Sequence, residues 1–377
     1  MSEAQTGTRQ RVDLDGEWRF IPDPERMYAP DQLPKGDPIR VPGCWEAQVP
    51  RPYGIVTAWY HRRFATPSAW SGRRIVLHFQ AVMYRCAVFV DGRHIGGHEG
   101  GYTPFELDAS AVARPGEEHE LAVYVVNPLN ALSTYPAFSV EDPRTDESET
   151  ELPLAEAPHG KQTWYSSQSG IWLSVHAEAR PQAALRTPRL RPDLAAGAVV
   201  VGWSLDPTGE QAIPDGAFLR IEVEDGSGAT VATVDVPHHE VGDEGERSIG
   251  VPDLRLWDLD DPHLYRLTLR LLDVGGAELD VVRDRFGMRE ITTANGRLVL
   301  NGRPIFMVGV LDQDHYPTSI STPPDRAYLD EQMRLTREMG INLLRCHIKV
   351  PDPAYLEAAD AAGILVWCEL PNWWTFT

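Results

Sequence analysis

The apolar residues of this chain change their spacing once, and that change limits the fold more than any other feature. From Val12 to Arg289 they alternate with polar residues in short runs; after Ile291 they gather into unbroken runs separated by helical spacing. Alternation marks half-buried strands, and unbroken runs between helices mark parallel strands covered on both faces. The order is therefore all-β first and α/β last.

Within the first stretch, RIVLHF near Ile75, CAVFVDG near Val88, ELAVYVVN near Val123 and IWLSVHAEA near Leu173 read as strands. Asp91-Gly92, Gly96-Gly97, Gly100-Gly101 and Pro115-Gly116 read as the turns between them. Short strands at regular spacing predict a jelly roll or sandwich over residues 1–180. From Ser139 to His159 the chain is acidic, contains prolines and has no apolar period, which predicts an exposed loop. Residues 181–290 carry AVVVGWSL, FLRIEVED, TVATVDVP and LYRLTLRLLD, and predict an immunoglobulin-like sandwich without the Cys…Trp…Cys spacing of antibody domains.

Residues 291–377 differ. RPIFMVGV predicts a buried strand; Thr322 is placed to cap a helix that Pro323 opens, with Leu329, Met333, Thr336 and Met339 on its apolar face and Gly340 at its end. INLLRCH predicts a second strand, Asp352-Pro353 a second helix running to Ala362 and stopped by Gly363, and ILVWCELP a third strand. A (β/α)8 barrel takes about 250 residues, and the roughly 85 after Ile291 hold about three strands. The expectation is an incomplete barrel, and an ending at WWTFT is read as that of a fragment or truncated product.

Thirty-five Lys+Arg against 55 Asp+Glu give a net charge of −20. That counts against nucleic acid or an anionic membrane as the main partner. No apolar run approaches the roughly 18 residues of a membrane span, and MSEAQTGTRQ lacks a signal-peptide layout, so a cytoplasmic setting is expected. Cys44, Cys86, Cys346 and Cys368 form no CxxC pair, which removes the zinc-ribbon and redox readings. No phosphate loop, serine elbow or dinucleotide fingerprint is present. Eleven Trp suit either stacking on sugar rings or filling β cores, the second being the commoner use.

Several motifs carry a likeness. LDGEWRF (Leu14 to Phe20), VPGCW (Val41 to Trp45), AWYHRRF (Ala58 to Phe64), VFVDGRHIGGHEGGYTPFELD (Val88 to Asp108), SGIWLSV (Ser169 to Val175) and LWDLDDPHLYRL (Leu256 to Leu267) occur in this order, followed by FGMREI, LNGRPIFMVGV and INLLRCH. Together the series resembles glycoside hydrolase family 2, β-galactosidases and β-glucuronidases above all. The resemblance implies a jelly-roll sugar-binding domain, an immunoglobulin-like sandwich and a catalytic barrel. It implies hydrolysis of terminal β-linked sugars with retention, by two Glu on the fourth and seventh barrel strands, which places both beyond Thr377. Magnesium occurs in some such enzymes, but matching ligands are not evident here, and no cofactor is expected.

Barrel enzymes work at the C-terminal ends of their strands. Here those ends are GVLDQDHYP, RCHIKVP and CELPNWW, which nominate Asp312, Asp314, His315, Arg345, His347, Glu369, Asn372 and Trp373 for substrate binding, with Lys349 and Trp374 beside them. By resemblance Arg345 supports the catalytic carboxylates, His347 stands one position before the histidine of the family's SHYP motif, and Gln313 stands where a sugar-site histidine is often found. Glu369 is read as a hydrogen-bonding group rather than a catalytic carboxylate. The two jelly-roll positions that reach the sugar in β-galactosidases are Trp164 and Thr57 here, which counts against a simple galactoside or glucuronide; β-galactoside, β-glucuronide, β-mannoside and arabinoside stay open. The rival reading is a non-catalytic carbohydrate-binding or assembly fragment. A homo-oligomer or a completing chain is left open.

Overall fold

The computed structural model describes residues 8–52, 55–127, 165–206, 209 and 213–371. The first domain holds β1 (Gln10–Asp13), β2 (Gly16–Pro22), β3 (Asp37–Val41), β4 (Thr57–Ala65), β5 (Arg74–Phe79), β6 (Arg85–Val90), β7 (Arg93–Glu99), β8 (Phe105–Asp108), β9 (Glu118–Val126) and β10 (Val175–Arg180). They form a four-stranded sheet, β1-β10-β5-β8, and a six-stranded sheet, β3-β2-β4-β9-β6-β7, antiparallel throughout. The alternation explains the sandwich: on β2 Trp18 and Phe20 are buried while Glu17 and Arg19 face out. Trp18, Trp45, Trp70, Tyr60 and Phe79 fill the space between the sheets.

The second domain holds β11 (Arg189–Asp193), β12 (Ala198–Ser204), β13 (Phe218–Glu224), β14 (Thr230–Val236), the short helix α1 (His238–Val241), β15 (Glu244–Gly250), β16 (Tyr265–Leu272) and β17 (Glu278–Phe286). Sheets β11-β12-β15 and β14-β13-β16-β17 close on Trp203, Leu219, Ile221, Val223, Leu267 and Leu269. Paired charges join it to the first domain. Arg9 bonds both carboxylate oxygens of Asp280 at 2.8 and 2.7 Å, and Arg74 bonds Asp206 at 3.0 Å. Asp280, Arg74 and Asp206 are all buried, which is sustainable only because each charge has its partner.

A small antiparallel sheet follows, of β18 (Ile291–Ala294), β19 (Arg297–Leu300) and β20 (Arg303–Pro304). Its first turn places Asn295 and Gly296 at φ 51° and 71°, the left-handed pair a two-residue hairpin turn needs. Then come β21 (Gly309–Asp312), α2 (Arg326–Glu338), β22 (Leu343–Cys346), α3 (Pro353–Ala362) and β23 (Leu365–Cys368), whose three strands are parallel. Leu329 and Met333 of α2 pack with Tyr355, Ala358 and Ala359 of α3 over Leu344.

Several expectations are corrected. RPIFMVGV is not a buried strand: β21 begins only at Gly309, and Phe306 and Val308 are exposed, because no strand among the described residues pairs with the free side of β21. The cap of α2 is Asp325, whose carboxylate accepts from the Tyr328 amide at 2.7 Å; Thr322 instead donates to the Trp172 carbonyl. Met339 lies past the buried face and is exposed. Gly96-Gly97 lies within β7 rather than in a turn, since a side chain at Gly97 would run into the Cys86 carbonyl, 2.4 Å away on the paired strand. β10 begins at Val175, later than IWLSVHAEA implied. Asp352 caps α3 and Gly363 ends it in the left-handed region, as read. The acidic stretch from Ser139 to His159 lies outside the described residues. Among the described tryptophans, Trp18, Trp45, Trp59, Trp70, Trp172, Trp203 and Trp257 are buried in cores, and Trp367 is exposed.

Candidate functional site

The C-terminal ends of β21, β22 and β23 lie side by side, in the register Asp312, Cys346, Cys368. Side chains alternate across a strand, so Leu311, Arg345 and Trp367 share one face, while Asp312, Cys346 and Cys368 share the other. That alternation corrects the reading of Asp312 as a sugar ligand. Its carboxylate points toward the helices, where Oδ2 accepts from Gln332 of α2 and Tyr355 of α3, both at 2.7 Å, and Oδ1 accepts from the Asp314 amide. The buried Tyr355 phenol beside it titrates well above its ordinary range, first through burial and then through the Asp312 charge.

Asp314 is corrected too. Its side chain is enclosed, pairs with Lys349 Nζ at 2.7 Å and accepts from the Tyr316 hydroxyl at 2.6 Å. Lys349 also donates to the carbonyls of Asp314 and Ser321, both at 2.8 Å, and lies 5.2 Å over the Trp172 ring of the first domain. An ammonium held by three oxygens and an aromatic face is a satisfied buried charge, not a ligand group. It fixes the loop after β21 against the first domain. Ser321 reinforces it by donating to Gln168.

Arg345 and Glu369 form the open part of the site. Arg345 Nε donates to Glu369 Oε1 at 2.6 Å, and Oε2 accepts from the Ile348 amide at 3.0 Å. Desolvation pulls the Glu369 pKa upward, but the Arg345 bond, the amide and the neighbouring positive charge outweigh it, and the carboxyl sits below its ordinary range. A carboxylate so held is a poor proton donor at neutral pH. Arg345 also lies 6.0 Å over the exposed Trp367 ring. His347 Nδ1 is 3.2 Å from Gln313 Oε1, and its amide donates to the Asp312 carbonyl. His315 packs against Tyr165, ring centroids 5.3 Å apart.

The first domain contributes more than the sequence reading foresaw. Tyr102, Ser166 and Gln168 line a small crevice with Asp314, His315 and Lys349. The signal for it was the polar run Tyr165 to Ser169 immediately before GIW. Thr57 does not reach this crevice: it is buried and its hydroxyl donates to the Asp23 carbonyl. Trp164, Asn372, Trp373 and Trp374 lie outside the described residues. A metal does not fit the residues present. The carboxylates of Asp312, Asp314 and Glu369 already serve Tyr355, Lys349 and Arg345, and no group of three or more His, Cys, Asp or Glu among the described residues is arranged to hold an ion.

Comparison with known sequences gives two matches in the expected order: "Glycosyl hydrolases family 2, sugar binding domain" over residues 50–175 and "Glycosyl hydrolases family 2" over residues 183–289. The chain belongs to glycosyl hydrolase family 2. Among its family 2 relatives, a β-glucuronidase of Paenibacillus borealis is 26% identical across 97% of this chain and 60% of its own length. A β-galactosidase of Thermoanaerobacter pseudethanolicus is 24% identical across 84% of this chain and 39% of its own. The solved structure of a Ruminococcus gnavus β-glucuronidase in complex with D-glucuronic acid matches with a TM-score of 0.79 at 23% identity, over 100% of this chain and 62% of that one. That last likeness supports the fold alone. The chain thus spans about 60% or less of the relatives it matches.

Proposed function

We propose that the protein carrying this chain hydrolyses a terminal β-linked sugar with retention of configuration, and that the three parallel strands are the opening part of its catalytic barrel. The observation that carries the reading is the Arg345–Glu369 pair, 2.6 Å apart at the ends of two adjacent parallel strands, behind two domains that belong to family 2. Retention requires two carboxyls about 5–5.5 Å apart, one a nucleophile and one an acid/base. Glu369 is tied to Arg345, Asp314 is enclosed with Lys349, and Asp312 is turned to the helices. None of the three suits either role, and we assign the pair to barrel strands following Cys368.

On this reading the residues of this chain bind and orient. Arg345 holds Glu369 charged, and a charged carboxylate accepts sugar hydroxyls. Arg345 also lends positive charge to the face on which the reacting carboxylates would lie. His347 with Gln313, and His315 with Tyr165, border the same rim. The Lys349–Asp314 pair keeps that rim in register with the first domain. A second reading, a non-catalytic fragment whose sheet is completed by another chain, is favoured by one observation: the exposed apolar residues around β21 and β23. Hydrolysis of p-nitrophenyl α- and β-glycosides separates the two. Activity of a form extended beyond Thr377, absent from the 377-residue chain, supports the glycosidase and names its sugar. Activity of the chain alone would overturn the placement of the catalytic pair. Silence of both would favour the second reading.

A further inference from the structure

Spacing along the sequence removes a CxxC motif, but strand pairing brings two of the four cysteines together. Cys346 ends β22, Cys368 ends β23, and the two are direct partners in the parallel register. Neighbouring strands lie about 4.8 Å apart, and in-register residues of parallel strands project from the same face. That separation falls inside the roughly 4.4–6.8 Å between Cα atoms that a disulfide spans. The two thiols differ in access. Cys368 is exposed, whereas Cys346 is fully buried, its Sγ donating to the Lys349 carbonyl at 3.5 Å and lying 4.0 Å from Asp314 Oδ2. An exposed thiol beside a buried one suits an attacking and a resolving cysteine. Cys44 and Cys86 are both buried in the first domain.

We propose that Cys346 and Cys368 form a redox-modification site, closed by a small-molecule disulfide of the oxidised-glutathione class into a bond that ties β22 to β23. The Cys368 thiolate, its proton released to water, attacks one sulfur of the oxidant and expels a thiolate, which leaves a mixed disulfide on Cys368. Cys346 then attacks the Cys368 sulfur and expels the second thiolate. The two cysteines lose two electrons and two protons, and the oxidant leaves as two thiols. Arg345 precedes one cysteine and Glu369 follows the other, so the bond lies directly beside the charged pair. A bonded Cys346 sulfur has no proton to donate, and closure also releases the Lys349 carbonyl. Oxidation therefore acts both on the Arg345–Glu369 pair and on the loop that Lys349 fixes. Burial, and then the Asp314 charge, hold the Cys368 thiol above its ordinary range, so the exchange quickens as pH rises. The site stands whether or not the catalytic reading holds.

Incubation of the folded 377-residue chain with oxidised glutathione at mildly alkaline pH, followed by alkylation and non-reducing peptide mass mapping, tests it. Two of the four thiols are expected to disappear. The peptides of Cys346 and Cys368 should be joined, two hydrogens lighter than their sum, and dithiothreitol should part them. Cys346→Ser is expected to stop at a glutathione adduct on Cys368, and Cys368→Ser to keep its remaining thiols. Cys368 is exposed, so Cys368→Ser carries the test if the Cys346 variant does not fold. An unchanged thiol count, a glutathione adduct that persists on Cys368 of the unaltered chain, or a Cys368–Cys368 bond between copies would each overturn the proposal. So would thiol loss undiminished in Cys368→Ser, or a joined pair that forms only in urea.

Discussion

At the scale of single residues, two buried groups set measurable behaviour. Lys349 and Asp314 are both almost wholly enclosed, and removing one partner strands the other in the interior. Lys349→Met should cost about 3–5 kcal/mol in urea unfolding. Adding Asp314→Asn should recover part of that loss, because the stranded charge goes with it. A sum of independent losses would mean the pair is not coupled. Glu46 is the second group. Its carboxyl accepts from the Ser169 amide at 2.9 Å and from the Ser169 hydroxyl, and burial, only partly offset by those bonds, pushes its pKa up to about 7 from an ordinary 4.5. Between those values the unfolded chain has released a proton that the folded chain keeps. Stability contributed by Glu46 is therefore greatest below pH 4.5, declines as pH rises to about 7, and is level beyond. The decline should amount to roughly 3 kcal/mol, be absent from Glu46→Gln, which cannot titrate, and so appear in full in the difference between wild type and that variant. Parallel pH profiles for the two proteins would refute it. The sequence marked Asp314 and Lys349 only as rim groups and did not mark Glu46, one acid among 55 Asp and Glu, because burial is a tertiary property.

At the scale of elements, the two helix-ending glycines offer a controlled comparison. Gly340 after α2 and Gly363 after α3 both sit in the left-handed region, at φ 73° and 71°. They differ in surroundings. A side chain at Gly340 meets nothing within 4 Å, whereas one at Gly363 would come within 2.3 Å of the Leu259 carbonyl. Gly340→Ala should cost about 1–2 kcal/mol, the conformational term alone. Gly363→Ala should cost clearly more in the same urea titration, and equal costs would show that the Leu259 segment yields freely. Both stops were legible because glycine after a helical period has a local cause. The cap of α2 was not. Thr322-Pro323 and Asp325 compete for the same role, and Thr322 is drawn away by the Trp172 carbonyl, a contact between residues 150 apart in sequence. The site followed the same division. Periodicity placed Arg345 and Glu369 together at strand ends, but the face on which Asp312 projects depends on where β21 begins, and the apolar run before it concealed that.

At the scale of the whole molecule, the order of β domains and the final parallel sheet were readable, since each rests on local periodicity. The exposure of that sheet was not, because it depends on what lies beside it. Phe306 and Leu370 are 83% and 78% exposed, Trp367 is 55% exposed, and Val308, Val310 and Leu311 join them around β21 and β23. β21 also leaves one side unpaired among the described residues. An apolar group beside an open strand edge is a template for association. The 377-residue chain should therefore associate in a concentration-dependent way, with a sedimentation mass rising above that of a 42.1 kDa monomer. Phe306→Ser with Leu370→Ser should lower that association without lowering the midpoint of urea unfolding, because both side chains are largely in water already. A form extended beyond Thr377 should stay at one mass over the same range if added strands cover this surface. A constant monomer mass for the unextended chain would show that the apolar surface is tolerated in water, and would remove the observation favouring completion by a second chain.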